Sequence, residues 1–336
     1  MFKLFTPKLA ILLIALLATG AQAWSTKVHN QIAFMAESFL TPQTTGIIKH
    51  ILEPQYDGSI GRAAAWADEY GHTDEGKYTS TWHYINPADN PPAYCNVYYN
   101  RDCTEPGCVV QAIANATVKF ESCVDAVKAG KLKHGSDVAC SMSLKFLAHF
   151  IGDITQPLHT TGIALGGNSY PVIFGGKETN LHSREGKKSN HSISIQVWDT
   201  AIIMADAKVD GGFSNKTIDP YFSKLLSRIK RDNFYIPTQE WLECTNPSTP
   251  IACALAWARD SNALTCDYVF SQVFNGTDLV ENGYAGGAYP IVQLQVSKAA
   301  LRLATWLNRI VGGRYRDREV NLETNPSWLL GPMKGK

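Results

Sequence analysis

Residues 145–159 read KFLAHFIGDITQPLH. Phe146, Leu147, Phe150, Ile151 and Ile154 surround His149 and Asp153, which stand four apart and so project from one face of a helix. A helix this apolar is buried or half buried. An ionisable pair inside it is costly unless the groups are hydrogen-bonded or hold a metal. Pro157 ends the helix, and His159 can then fold back towards the same cavity. A single His-x-x-x-Asp pair is more often a hydrogen-bonded core pair than a metal site, so the rest of the chain has to decide.

Outward from this segment the helical period recurs. It predicts helices over residues 25–40, 60–70, 109–128, 137–154, 197–207, 220–232, 251–274 and 293–311. Long Gly/Pro/Asn-rich loops are expected at 86–106, 160–188 and 275–289, and the best of the sparse strand signals lies at 171–174. There is no internal repeat or low-complexity tract. The expected architecture is mainly α, a single helical domain over residues 24–336 with long loops and disulfides. The chain has 336 residues, 45% hydrophobic and 18% charged, ample for a packed core. Its 31 basic and 30 acidic residues give a net charge of +1, which excludes a polybasic, charge-driven nucleic-acid binder but not local recognition.

Residues 1–23, MFKLFTPKLAILLIALLATGAQA, have the positive start, short apolar run and small-x-small exit of a cleaved secretory signal. The run is short of the roughly 20 residues a membrane span needs, so no stable membrane anchor is expected. Losing Lys3 and Lys8 with it takes the net charge from +1 to −1. A secreted or periplasmic location follows, where thiols oxidise. The 8 cysteines, none in a C-x-x-C, read as disulfides rather than a zinc ribbon. Cys103 and Cys108 are expected to close a small loop around Pro106-Gly107; spacing leaves the other pairings open. Sequons stand at Asn115, Asn190, Asn215 and Asn275.

The His149/Asp153 pair keeps suggestive company. Asp68 sits in WAD (66–68) on an Ala-rich helix, His83 in the aromatic WHYIN (82–86), His182 in NLH (180–182) after a glycine-rich loop, and Asp199 in WD (198–199). Each reads blandly alone, as a cap carboxylate or a satisfied histidine. Together with His159 they supply four histidines and three aspartates in apolar surroundings, the donors zinc accepts without thiolate. Cleavage after Ala23 would free the amine of Trp24. With a pKa near 8, that amine and the Trp24 carbonyl could chelate a metal, with His29 five residues on along the first helix.

These residues carry a resemblance. WSTKVH (24–29), WAD, WHYIN, HFIGDITQPLH (149–159), GGN (166–168), NLH, WD and the closing AALRLATWLN (299–308) resemble, in the same order, the zinc-dependent single-strand (type I) nucleases of the phospholipase C/nuclease superfamily. The resemblance spans residues 24–312. It implies a mostly helical fold of the phospholipase C/nuclease type holding three Zn²⁺. By motif, one ion takes Asp68, His83, His149 and Asp153. A second, set apart, takes His159, His182 and Asp199. The third takes the amine and carbonyl of Trp24, His29 and the shared carboxylate of Asp153. Asp68 and Asp153 are then the catalytic carboxylates, Asp153 bridging two ions about 3.5–4 Å apart that hold a hydroxide. His50, His72, His134 and His191 are left over.

The implied substrates are single-stranded RNA or DNA and 3′-nucleotides, with 5′-phosphate products from polymers. Tyr84 is the candidate stacking platform, Asn86 a base-edge contact, and Asn168 of the GGN loop a further substrate contact. Two features depart from the family's pattern. Where its members carry Lys or Arg three residues after the WAD aspartate, this chain has Gly71, which makes Lys77 the candidate phosphate ligand. Its NLH histidine and WD aspartate, normally four apart, are separated by an insertion at 183–196, SREGKKSNHSISIQ, which offers His191 as an alternative ligand and Arg184, Lys187 and Lys188 to a polyanion. The competing readings are a phospholipase C using the same metals and a secreted helical binding protein without catalysis.

Overall fold

The computed structural model describes residues 24–182, 196–273 and 276–313, and within them helices predominate, joined by long loops. Its helices are α1 (Thr26–Glu37), α2 (Pro42–Ile51), α3 (Ile60–Ala63), α4 (Trp66–Gly71), α5 (Tyr99–Asp102), α6 (Val109–Lys128), α7 (Val138–Asp153), α8 (Ile202–Ala207), α9 (Pro220–Lys230), α10 (Pro250–Leu264) and α11 (Tyr284–Gly312). A small antiparallel hairpin, β1 (Pro171–Phe174) and β2 (Lys177–Asn180), pairs Pro171 with Asn180 and Phe174 with Lys177. The mainly α fold expected from the sequence is what the chain adopts. No helix among the described residues is long and apolar enough to cross a membrane.

Helix α7 is buried along nearly its whole length, because its sequence is apolar on every side. Asp137 caps it, accepting from Cys140 N at 2.8 Å. It packs against α6, α11, α1, α3 and α4, so every element carrying a candidate ligand upstream of it leans on one helix. The cores of α10 and α11 are tied by Asp260, whose carboxylate takes Lys298 Nζ at 2.7 Å and Arg302 Nη2 at 2.9 Å. Four disulfides join Cys95–Cys266, Cys103–Cys108, Cys123–Cys140 and Cys244–Cys253. The Cys103–Cys108 loop is the one the spacing predicted.

The structure corrects several boundaries. The helix expected over 60–70 is two short helices, and the break at Ala64-Ala65 turns the Ala64 carbonyl towards His149. Helix α2 has no counterpart in the sequence reading: Gly46 and β-branched residues dilute its period, but Thr41 caps it and Pro42 opens it. Helix α11 starts at Tyr284, within what reads as a Gly/Pro loop, and carries Pro290 inside it. Packing outweighs propensity there, since a side chain on Gly287 would collide with the Tyr268 hydroxyl. The helix expected over 251–274 stops at Leu264 and continues as a wide turn, Thr265–Val269; a similar wide turn, Val197–Ala201, precedes α8. The presumed signal at 1–23 and, in the insertion, His191, Arg184, Lys187 and Lys188 lie outside the described residues.

Candidate metal centre

Three segments converge on the last turns of α7. His149 and Asp153, both fully buried, bring their side chains to one face, with His149 Nε2 3.3 Å from Asp153 Oδ2. Asp68, from the first turn of α4, places Oδ1 3.3 Å from the same imidazole nitrogen. His83, at the end of the 3₁₀ run Lys77–His83, points Nδ1 at Asp153 Oδ2 (3.0 Å) and Asp68 Oδ1 (3.5 Å). His29, on α1, stacks on His149 with ring centroids 3.7 Å apart and sets Nε2 3.0 Å from Asp153 Oδ1. The two oxygens of Asp153 thus face two different sets of histidines.

A second group lies beyond the end of α7. His159, in the turn Pro157–Thr160, His182, after β2, and Asp199, in the wide turn before α8, are all buried. His182 Nε2 lies 3.0 Å from Asp199 Oδ1. Trp24 links the groups: its indole N–H donates to Thr155 Oγ1 (3.3 Å), and the next residue's N–H, Ser25, to the Asp199 carbonyl (3.2 Å). The main chain at 24–25 is therefore held between the turn that ends α7 and residue 199.

Backbone carbonyls aim two of the rings. Nδ1 of His149 donates to Ala64 O and Nδ1 of His159 to His83 O, both at 2.7 Å, which fixes the tautomer and leaves each Nε2 as the available donor atom. Two amides contribute further: Gln156, which the sequence did not single out, and Asn168, which it offered as a substrate contact rather than as a partner of His182. Gln156 sets Nε2 2.6 Å from Asp199 Oδ1, and Asn168 sets Nδ2 3.3 Å from His182 Nδ1. Neutral amides in a motif carry no charge signature; the only signal was Gln156 lying between two candidate ligands.

The charges follow from this crowding. Burial pulls His149 down, but the carboxylates of Asp153 and Asp68 outweigh it and raise it to about 9. Burial, then the neighbouring His149 charge, lowers His29. Burial would raise Asp153 and Asp68; the surrounding histidines, His149 foremost, instead hold both below the usual carboxylate range. Asp199 differs: burial raises it despite His182 and Gln156.

The donor set fits a metal. Ligand atoms come within 4.8 Å of one another in three groups: His29–Asp68–His149, His83–His149–Asp153 and His159–His182–Asp199. Nδ1 of His29 and one oxygen each of Asp68 and Asp199 are buried without a hydrogen-bond partner, and His29 Nε2 and Asp153 Oδ1, though 3.0 Å apart, are not aligned for a hydrogen bond. Orphaned buried acceptors cost about 1–3 kcal/mol apiece. The gathering of such atoms from imidazoles and carboxylates at one place is what cation ligands require. His72 instead hydrogen-bonds the Asp68 carbonyl, and His50 the Leu132 carbonyl.

The candidate substrate contacts are more dispersed. Tyr84 is half-buried beside His83, and burial raises its phenol. Asn86 is exposed and packs beside Gly162 of the 161–168 loop, where Leu165 stands 74% exposed at a φ of 56°. Asn168 donates to Leu165 O as well as meeting His182, so it braces the loop against a candidate ligand. Lys77 is exposed and lies 3.3 Å from Asp74. A β-carbon at Gly71 would stand 3.7 Å from His83 Nε2, so a side chain at 71 would start beside that imidazole.

Comparison with known proteins gives the chain its family. The S1/P1 Nuclease family model matches residues 24–312. The chain is 33% identical to nuclease P1 of Penicillium citrinum over 294 residues, covering 86% of this chain and 98% of that protein. Nuclease PA3 of a Penicillium species matches equally. Nuclease S1 of Aspergillus oryzae is 32% identical over 298 residues, 88% of this chain and 94% of its own.

Proposed function

The chain belongs to the S1/P1 nuclease family, and from that premise we propose that it is an exported, zinc-dependent phosphoesterase that hydrolyses single-stranded RNA and DNA to 5′-phosphate products and removes phosphate from 3′-nucleotides. The observation that carries the reading is the convergence of His29, Asp68, His83, His149 and Asp153 on one buried pool, with His159, His182 and Asp199 beside it. In this reading the pool holds two zinc ions, one on Asp68, His83, His149 and Asp153, the other on His29, Asp153 and the amine and carbonyl of Trp24. His159, His182 and Asp199 hold a third.

Zinc bound there would supply Lewis-acid polarisation of the phosphoryl group and a water ionised at neutral pH. The chain's own residues do the rest. Asp153 serves two sides at once, since its two oxygens already face different histidines. Ala64 and His83 carbonyls hold His149 and His159 in the ligating tautomer. Burial of all eight side chains keeps bulk water from competing for them. The bond broken is that between phosphorus and the 3′ oxygen, and water supplies the new P–O bond.

A near-neutral surface suits such an enzyme, because charge for the phosphate is concentrated in the centre. Tyr84 would stack a base, with Asn86 at its edge, which a duplex could not offer. Lys77 would serve the phosphate if its side chain turns from Asp74. Residues 1–23 would be the export signal and 24–336 the mature domain. The four disulfides support an oxidising destination, and removal of the signal would create the Trp24 amine.

Assay of the purified, processed chain on single-stranded DNA, duplex DNA, 3′-AMP and phosphatidylcholine vesicles tests the reading. Turnover of the first and third is expected, with little on duplex. Hydrolysis of phosphatidylcholine alone would make it a phospholipase C, and turnover of none a binding protein. Keeping one residue before Trp24 should lower activity sharply; unchanged turnover would remove the terminal chelate.

A further inference from the structure

The side chain of Gln156 has two ends, and each grips a different part of the second ligand group. Its carbonyl oxygen accepts from Leu158 N at 2.6 Å and so caps the turn Pro157–Thr160 that carries His159. Its amide nitrogen donates to Asp199 Oδ1 at 2.6 Å and lies 3.1 Å from His182 Nε2. The residue is fully buried, so water replaces neither bond. Its own N–H bonds the Asp153 carbonyl at 2.9 Å, which ties this grip to the last residue of α7.

Asp199 needs such a partner. It arrives from a wide turn far along the chain, after the insertion, and its other oxygen, Oδ2, is buried with no hydrogen bond. A carboxylate with one oxygen pinned and the other free is aimed. With His159 held by the His83 carbonyl and by the Gln156 cap, one amide side chain sets the relation between two ligands 40 residues apart in sequence.

We propose that Gln156 is a positioning residue for the ion of the His159–His182–Asp199 group, fixing the turn of His159 with its oxygen and the carboxylate of Asp199 with its nitrogen. The proposal rests on the reading that these residues hold a metal. It assigns Gln156 no contact with substrate.

The test is zinc bound per chain, by elemental analysis after gel filtration, as a function of buffered free zinc, for the processed chain and for Gln156→Met and Gln156→Asn. Methionine keeps the length but neither bond; asparagine keeps an amide too short to span both ends. In each variant one zinc should need about 10–100-fold more free metal than in the wild type, the usual cost of losing a ligand's orienting partner, while the other two stay put. Circular dichroism of the chelator-treated forms checks the fold, and should methionine prevent folding, asparagine carries the result. Variants that keep all their zinc at wild-type levels, or lose every ion in parallel, would overturn the proposal. A wild type holding fewer than two zincs would instead sink the metal reading beneath it.

Discussion

Gly152 leaves room that His29 fills: a β-carbon there would stand 2.8 Å from His29 Nδ1 and 2.9 Å from Cε1. Alanine is the better helix former, so Gly152→Ala should keep α7 helical while driving the imidazole off Asp153. Displacements on this scale cost up to ~10²-fold in rate. We expect at least a tenfold (~10-fold) loss of kcat on single-stranded DNA with unchanged far-ultraviolet circular dichroism, and a wild-type rate would contradict it. His149 supplies a second test. Raised to about 9, it is protonated at neutral pH in the metal-free chain and must lose that proton to ligate. Zinc uptake should therefore release protons, and affinity should rise with pH up to about 9; calorimetry in buffers of different ionisation enthalpy reads both. The candidate ligands were legible because charge in an apolar setting demands a reason. Gln156 was not, since an uncharged amide beside a proline looks like any turn residue, and Asn168 was legible as a loop contact but not as a partner of His182.

Among the elements, α6 and α7 followed from apolar period alone, α7's boundaries agreeing to within a residue because Asp137 and Pro157 mark its ends. The first third of α11 was hidden because Gly286, Gly287 and Pro290 all speak against a helix, and only the Tyr268 contact explains why a glycine is needed at 287. The α10–α11 pairing has its own chemistry. Burial would raise Asp260, but Arg302 and Lys298 hold it below the usual carboxylate range. A depressed pKa stabilises the fold above the unfolded carboxylate value of about 3.9 and loses that contribution as pH falls through the folded value. Asp260→Asn strands two buried cations and should cost about 3–5 kcal/mol at pH 7 in denaturant unfolding. The gap to wild type should narrow below about pH 4; a pH-independent gap would show that charge plays no part.

At the scale of the molecule, residues from 24 to 199 must meet, and no local pattern dictates that they do. What brings them together is that α1, α3 and α4 all pack on α7, and that the Trp24 indole and the Ser25 N–H fasten the start of the described chain between Thr155 and residue 199. The sequence carried the order of the motifs and their residue types; the packing that converts order into proximity became visible only in three dimensions. The most direct measurement is elemental: zinc per chain in the processed protein after equilibration and gel filtration. Three ions, falling to two when Asp199 is replaced by alanine, are expected. Fewer than two in the wild type would contradict a centre built from these eight side chains and the Trp24 terminus.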